Sequence, residues 1–317
     1  MNLLVTGGCG FIGSNFLEMV LQSKRELVSK VVNLDAITYA ADLNNTKGLE
    51  GDKKYFFEKV NLCDLSQLLE VFIKHNITHV VHMAAESHVD NSISDPSAFV
   101  DSNIVGTFNL LKVARQLGIK RLHHVSTDEV YGDLGKTGKF SESSPYNPHN
   151  PYSASKASSD FLVRSYHHTY GLPITISNCS NNYGPYQHKE KFIPTVINSI
   201  LGKKKIPVYG EGTNIRDWIY VKDHCEGVWD VLLTGQLGET YCIGSNCEKT
   251  NLDVIEDICN LSNVNSSDFI EYVTDRAGHD YRYAIDNKKI REKLGWQPQT
   301  SFEEGIKKTI EWYHERH

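Results

Sequence analysis

The chain has 317 residues, enough for roughly two domains of about 150 residues each. Hydrophobic residues are 40% and charged residues 23%, and the net charge is −6, which argues against global disorder and against a broad nucleic-acid or anionic-membrane surface. No apolar run is long enough to span a bilayer and the 7 scattered cysteines include no CxxC, so no membrane segment, disulfide framework or zinc knuckle is expected, and a reducing cytoplasm fits.

Asn2–Thr6 is a short apolar run that predicts a strand. It leads into Gly7-Gly8-Cys9-Gly10-Phe11-Ile12-Gly13, and Phe11–Gln22 reads as a helix. Gly7, Gly10 and Gly13 give a G-x-x-G-x-x-G turn between strand and helix. Such glycines permit a sharp turn and close backbone approach to a pyrophosphate, which the helix N-terminus attracts. A bland glycine turn is the alternative. Lys30–Asp35 predicts a second strand ending in Asp35. A carboxylate there can accept both adenosine ribose hydroxyls and repels a 2′-phosphate, favouring NAD over NADP. Otherwise Asp35 caps a turn. Lys54–Asn61 reads as a third strand and Leu65–His75 as a helix. Asp64 either meets the adenine edge or caps that helix.

His79–Met83 predicts a strand, Ser97–Leu117 a helix and Arg121–Ser126 another strand. The alternation predicts an α/β fold, a Rossmann-type doubly wound parallel sheet. Ser126-Thr127-Asp128-Glu129 closes the last of these strands. Ligands of such sheets bind beyond the carboxyl ends of the strands. Two adjacent carboxyls can divide the work there, one as acid and one as base. A solvated acidic turn is the alternative. Pro151 suits a helix start, and Tyr152 and Lys156 then share one helical face. A nearby ammonium and a cationic nicotinamide would make the tyrosine a usable base.

Past about residue 175 the texture changes. Asn, Tyr, Gly and Pro cluster in Ser177–Tyr186 and again in Lys203–Thr213, where Lys203–Lys205 reads as a solvated run. Leu252–Leu261 and Phe302–Glu315 are amphipathic helix candidates. The expected division is residues 1–175 as the NAD-binding domain, with a segment near 213–244 returning to it. Residues 176–317 form mainly a smaller C-terminal α/β lobe for substrate. His79 and His82, three apart in a strand, point to opposite faces, and no metal site is expected.

Across nearly its whole length the chain resembles the extended short-chain dehydrogenase/reductase superfamily. Within its NAD-dependent epimerase/dehydratase branch it resembles the dTDP-glucose 4,6-dehydratases. The segments that carry this are Thr6–Ser14, Ala84–Asp90, Ser126–Gly132, Tyr152–Lys156, Ser180–Tyr186, Asn214–Asp223 and Asp275–Asp280. Thr127-Asp128-Glu129 discriminates, because the related epimerases carry small residues at the two acidic positions. The resemblance implies that Thr127 orients the sugar C4 oxygen and that Tyr152 takes its proton. Lys156 binds nicotinamide ribose and depresses the Tyr152 pKa. Glu129 removes the C5 proton and Asp128 protonates the departing C6 hydroxyl. NAD would be held by Gly7, Gly10, Phe11, Ile12, Gly13, Asp35, Thr38, Asp64, Ala84, Ala85, Ser102, Tyr152 and Lys156. The nucleotide sugar would meet Ser87, Thr127, Asn182, Lys191, Phe192, Pro207, Val208, Tyr209, Arg216, Asn251, Arg276 and His279.

Ala277 stands where the family usually has proline. A homodimer through Ser97–Leu117 and Ala154–Tyr170 is also implied. A UDP-sugar dehydratase, a 4-epimerase and a non-catalytic NAD sensor remain the alternatives.

Overall fold

The computed structural model describes residues 1–275 and 278–316. In chain order the strands are β1 (Asn2–Thr6), β2 (Lys30–Asp35), β3 (Tyr55–Lys59), β4 (His79–His82), β5 (Arg121–Thr127), β6 (Ile174–Cys179), β7 (Asn181–Tyr183), β8 (Ile206–Tyr209), β9 (Ile215–Tyr220), β10 (Thr240–Ile243), β11 (Glu248–Thr250) and β12 (Ile270–Val273). Seven of them form one parallel sheet, in the order β10-β6-β5-β4-β1-β2-β3. The order reverses between β1 and β4. Loops leaving those two strands diverge there and open a crevice at the carboxyl edge.

Both sheet faces are covered. Leu3 and Val5 of β1 pack with Phe16 and Leu17 of the Phe11–Ser23 helix and with Val228 and Trp229 of the Val221–Thr234 helix. Leu4 points the other way, into a core shared with Leu68, Leu110 and Val163. Those residues come from the helices Leu65–His75, Thr107–Gln116 and Pro151–Tyr170. Buried alternately on two faces, the central strands read as unbroken apolar runs.

The smaller lobe holds a three-stranded sheet, β11-β9-β7, and a pair, β12-β8. Ile193, Trp218, Ile255 and Ile306 join it to the helices Phe192–Leu201, Asn251–Leu261 and Phe302–His314. After β9 the chain returns. The Val221–Thr234 helix packs under the large sheet and β10 pairs with β6.

The predicted strands Asn2–Thr6 and Lys30–Asp35 and the predicted Leu65–His75 helix coincide with the observed ones, and the other early elements differ by a few residues at their ends. Ser97–Leu117 is not one regular α-helix. A wider π-helical stretch, Val100–Gly106, interrupts it before the α-helix Thr107–Gln116 begins. There Asn103 pairs with the backbone of Glu86 through both N–H and C=O, at 2.9 and 3.0 Å, and donates to Ser155 Oγ at 2.8 Å. An apolar period does not reveal one wide turn, because the stripe continues on either side.

Candidate active site

The glycine turn is built by close approach. Gly7 has a positive φ of 74°, and a Cβ on it would meet Ala84 Cα at 2.7 Å. A Cβ on Gly13 would sit 2.2 Å from the Gly7 carbonyl oxygen. Gly10 is different, because a Cβ there would meet only that same oxygen, at 3.4 Å. No internal packing requires glycine at Gly10, and the residue faces the cleft. Gly10 is also the N-cap of the Phe11–Ser23 helix, with no side chain bonded to its first amides. Unpaired amides before an open cradle suit a pyrophosphate.

Asp35 ends β2, buried beside that turn. Its Oδ2 accepts from Cys9 N at 2.9 Å and its Oδ1 from Ile37 N at 2.8 Å. Burial pushes its carboxyl up, and the two amide donors oppose the shift. Each oxygen keeps acceptor capacity for a ribose hydroxyl. The groups present therefore fit a dinucleotide.

Phe11, Ile12, Thr38, Ala84, Ala85 and Ser102 line the same cleft. Asp64 does not. It caps the Leu65–His75 helix, accepting from Gln67 N at 3.0 Å, and it lies outside the cleft. Of the two readings of Asp64, capping is the one this geometry carries.

Deeper in the cleft stand Ser87, Thr127, Asp128, Glu129, Tyr152, Lys156, Asn182 and Lys191. β5 ends at Thr127, whose hydroxyl caps the short turn Asp128–Tyr131 by accepting from Glu129 N at 3.3 Å. That turn directs both carboxyls into the cleft. Asp128 is 2% exposed, and its Oδ2 has no partner among the described residues. Burial, then Glu129 and Asp217, push its carboxyl well up. Glu129 is only partly buried. Burial raises it too, but the cations Arg216 and Lys191 and a hydrogen bond from Asn150 pull it back. The two surroundings thus differ: burial and two carboxylates favour the acid form of Asp128, whereas two cations and a donor favour the ionised form of Glu129.

Tyr152 and Lys156 lie on one face of the Pro151–Tyr170 helix, both buried. Asn150 caps this helix reciprocally with Ser153, and Pro151 occupies its first turn. Lys156 Nζ donates to the Val125 carbonyl at 2.9 Å. In this chain alone the Tyr152 phenol is raised rather than depressed. Burial and the negative charge of Glu129 push that phenol well up, opposed by a Thr127 hydrogen bond. The bond to the β5 carbonyl uses one of the three ammonium donors, so the Lys156 charge and that of a bound nicotinamide are together available to favour the phenolate.

Of the other expected residues, all but Lys191 lie apart from the cleft lining. Lys191 reaches from the smaller lobe to the Ser87 carbonyl at 2.8 Å. Phe192 stacks on Trp218, with ring centroids 6.1 Å apart. Pro207, Val208 and Tyr209 belong to β8, and Asn251 opens a helix. Arg216 stacks on Tyr283 at 4.4 Å and binds the Asp280 carbonyl at 2.9 Å. Its charge acts on Asp128 and Glu129. His279 Nδ1 meets Asp275 Oδ1 at 2.7 Å. Apart from Lys191, these positions do not line the cleft that holds Tyr152. Arg276 falls outside the described residues. Asn150, Asn103 and Asp217 escaped sequence reasoning. Only Asn150 left a signal, as a capping residue directly before Pro151.

A profile of the GDP-mannose 4,6 dehydratase family matches residues 4–309. The chain belongs to that family. One relative is the dTDP-glucose 4,6-dehydratase of Haemophilus influenzae. The chain is 48% identical to it over 333 aligned residues, covering 99% of this chain and 98% of the relative. Among solved structures, the dTDP-glucose 4,6-dehydratase DesIV of Streptomyces venezuelae, with NAD bound, superposes with a TM-score of 0.96. It is 43% identical, with 99% of this chain and 97% of that one covered. A UDP-glucose 4-epimerase of Thermus thermophilus, also with NAD, superposes with a TM-score of 0.91 at 29% identity, covering 99% of each chain. The epimerase neighbour shows that the fold alone does not separate dehydration from epimerisation.

Proposed function

We propose that this protein is a dTDP-glucose 4,6-dehydratase, an NAD-dependent hydro-lyase that forms dTDP-4-keto-6-deoxyglucose. The observation that carries the reading is the unequal carboxyl pair Asp128–Glu129, set beside Tyr152 at the end of β5. Loss of water needs an acid and a base at adjacent carbons, and a 4-epimerase has no use for that pair. NAD, when bound, accepts the C4 hydride and later returns it at C6.

The chain's residues do the rest. Thr127 orients the C4 oxygen and Tyr152 takes its proton as C4 becomes a ketone. The ketone acidifies the C5 hydrogen, which Glu129 removes. As the C5–C6 double bond forms, Asp128 gives its proton to the C6 hydroxyl, which leaves as water. Glu129 gives its proton back to C5 as hydride is returned at C6, and the proton that Tyr152 took replaces the one Asp128 gave up, which completes the product and restores the chain's groups. Gly7, Gly10 and Gly13 support the cofactor's pyrophosphate, and Asp35 its adenosine ribose. Lys191 and Arg216 supply positive charge for a diphosphate. Residues 1–175, with the returning segment near 213–244, form the NAD domain, and 176–317 form mainly the sugar-nucleotide lobe. A homodimer in the cytoplasm completes the reading. Among the described residues, no helix is long and apolar enough to cross a membrane.

Mass spectrometry of purified protein incubated with dTDP-glucose, and separately UDP-glucose, tests this without added reductant. Loss of one water from the dTDP sugar is expected. Water loss only from the UDP sugar overturns the base assignment, and unchanged mass with both overturns the dehydratase reading.

A further inference from the structure

The proposed chemistry leaves one buried ionisable group beside the cleft unassigned. Asp160 lies on the Pro151–Tyr170 helix, four residues beyond Lys156, and is fully buried. That spacing sets the two side chains one turn apart on the same face. Asp160 does not line the cleft and cannot touch substrate there.

A buried carboxylate is costly unless it is hydrogen-bonded and paired. Asp160 is met from several elements. Its Oδ1 lies 3.1 Å from His124 Nε2 of β5. Its Oδ2 accepts from the Tyr146 hydroxyl at 2.8 Å and from Asn178 Nδ2 of β6 at 3.4 Å. His124 Nδ1 has no partner among the described residues, so a neutral ring places its proton on Nε2, toward Asp160. Arg164 Nη2 donates to the Tyr146 oxygen at 2.8 Å, which turns the phenolic proton toward Asp160. These direct donors to the carboxylate are all neutral. They steady the charge without cancelling it.

The counter-charge on the same face is Lys156. Burial disfavours its ammonium, and Asp160 is the first group opposing that. In return His124 and Lys156 hold the Asp160 carboxyl below its usual range. The other titratable groups facing the pair include His82 of β4, Cys179 of β6, Tyr131 of the turn after β5, whose buried phenol is pushed well up, and Tyr152 on the same helix. His82, whose ring lies 5.1 Å from that of His124, is kept neutral by burial. Burial pushes the Cys179 thiol up to about 12. Asn178 also donates to the Thr127 carbonyl at 3.1 Å, joining this network to the strand end that bears the acid–base pair.

We propose that Asp160 is a positioning residue for the reaction, acting through Lys156: buried one turn along the same helix face, its carboxylate keeps that ammonium charged while the Val125 carbonyl fixes its place. The inference rests on Tyr152 and Lys156 being the working pair of the proposed dehydratase. Protonated Lys156 is then the form that works, and removing the Asp160 charge releases its proton at lower pH.

The test uses the purified enzyme with lysine labelled by ¹³C at Cε, the Lys156 signal being assigned by its absence in Lys156→Arg. In Asp160→Asn, Lys156 loses its proton at about tenfold higher hydrogen-ion concentration than in the wild type. The alkaline limb of kcat/KM for dTDP-glucose moves to lower pH with it, while KM at neutral pH changes less than about twofold, as fits a residue that touches no substrate. Asp160→Glu restores both. An unchanged Lys156 titration in Asp160→Asn overturns the proposal, as does Asp160→Glu behaving like Asp160→Asn. The wild type offers a readout that needs no variant to fold. With ¹³C-labelled aspartate, the Asp160 carboxyl signal is that of a carboxylate at neutral pH, and a protonated Asp160 there overturns the proposal. The lysine titration does not depend on turnover. A wild type that leaves dTDP-glucose unchanged while its Lys156 still responds to Asp160→Asn counts against the dehydratase reading instead.

Discussion

Asp128 and Glu129 are sequence neighbours placed in unequal surroundings. The one is buried with an unpartnered oxygen, the other faces Arg216, Lys191 and Asn150. Glu129→Gln and Asp128→Asn keep the shape and remove the proton transfer. Each is expected to lower the rate of water loss by about 10²–10⁴-fold, read by mass spectrometry of the dTDP sugar. The same asymmetry sets a pH dependence. Glu129 works ionised and its carboxyl is raised, so kcat/KM falls on acidification at a pH above the ordinary carboxylate range. Arg216→Gln removes the foremost charge pulling Glu129 down, and that acid limb is expected to move to still higher pH. A pH–rate profile of the two proteins checks it.

His224 shows a residue-scale effect on stability. It is 0% exposed, and neither ring nitrogen has a partner among the described residues. Burial lowers its pKa to about 3. In the unfolded chain the ring takes a proton near pH 6.5, whereas the folded ring stays neutral until far lower pH. The unfolded state therefore binds more protons in that window, and stability attributable to this site falls as pH drops from about 6.5 toward the folded value. His224→Leu removes both the orphan nitrogens and the titration. Urea unfolding is expected to show a gain of about 1–3 kcal/mol at pH 7.5. The gap between the two proteins then widens by about 1.4 kcal/mol per pH unit below 6.5. A constant gap across pH would mean that the folded ring titrates normally.

At the scale of elements, the start of the Pro151–Tyr170 helix couples folding to the site. Asn150 Oδ1 accepts from Ser153 N at 2.8 Å while Ser153 Oγ receives the Asn150 amide at 3.2 Å. Asn150 also bonds Glu129. Asn150→Ala should therefore do two things. It lowers stability by about 1 kcal/mol in denaturant melts, the usual loss for a missing cap. It also raises the Glu129 carboxyl further, so activity falls more at pH 6 than at pH 8. An ordinary cap would show the first effect without the second.

Elements were legible where one physical rule governed them. β1, the glycine turn and β2 announced themselves through an apolar run, spaced glycines and a terminal Asp35. Leu65–His75 was bounded by its cap, Asp64. β6 was not read as a strand because Ile174–Cys179 mixes Thr, Ser and Asn into a wholly buried segment. Its polar members are satisfied across the sheet, as where Thr175 and Ser177 bond His123 at 3.0 Å each. Long-range pairing of that kind leaves no local period. β10 likewise owes its place to pairing with β6, which appears only in the fold. The same limit applies to the site. Thr127, Asp128, Glu129, Tyr152 and Lys156 were readable because two short segments carry them. That Lys156 engages the Val125 carbonyl, and that Asn103 ties the β4 loop to the catalytic helix, depend on elements that meet only in the fold.

The whole molecule leaves a surface that one chain does not cover. Val105 and Phe108 are each 40% exposed at the outer side of the segment Val100–Gln116, and Phe161 is 57% exposed on the adjacent Pro151–Tyr170 helix. Large apolar side chains gathered on two adjoining helices are the usual mark of an interface. In the proposed homodimer the two helices of each subunit meet the same pair of its partner, an isologous contact in which every residue counts twice. A single charge there is therefore introduced twice, close to the two-fold axis, into a surface that association would dehydrate. Phe161→Glu and Phe108→Glu are expected to shift the protein from dimer to monomer in sedimentation velocity at micromolar concentration. The wild-type species should stay dimeric under the same conditions. The cleft is built from residues of one chain. A monomeric variant should therefore retain bound NAD and Tyr152-dependent turnover, losing mainly thermal stability. A wild type that sediments as a monomer would remove the dimer from this account and leave the chemistry standing.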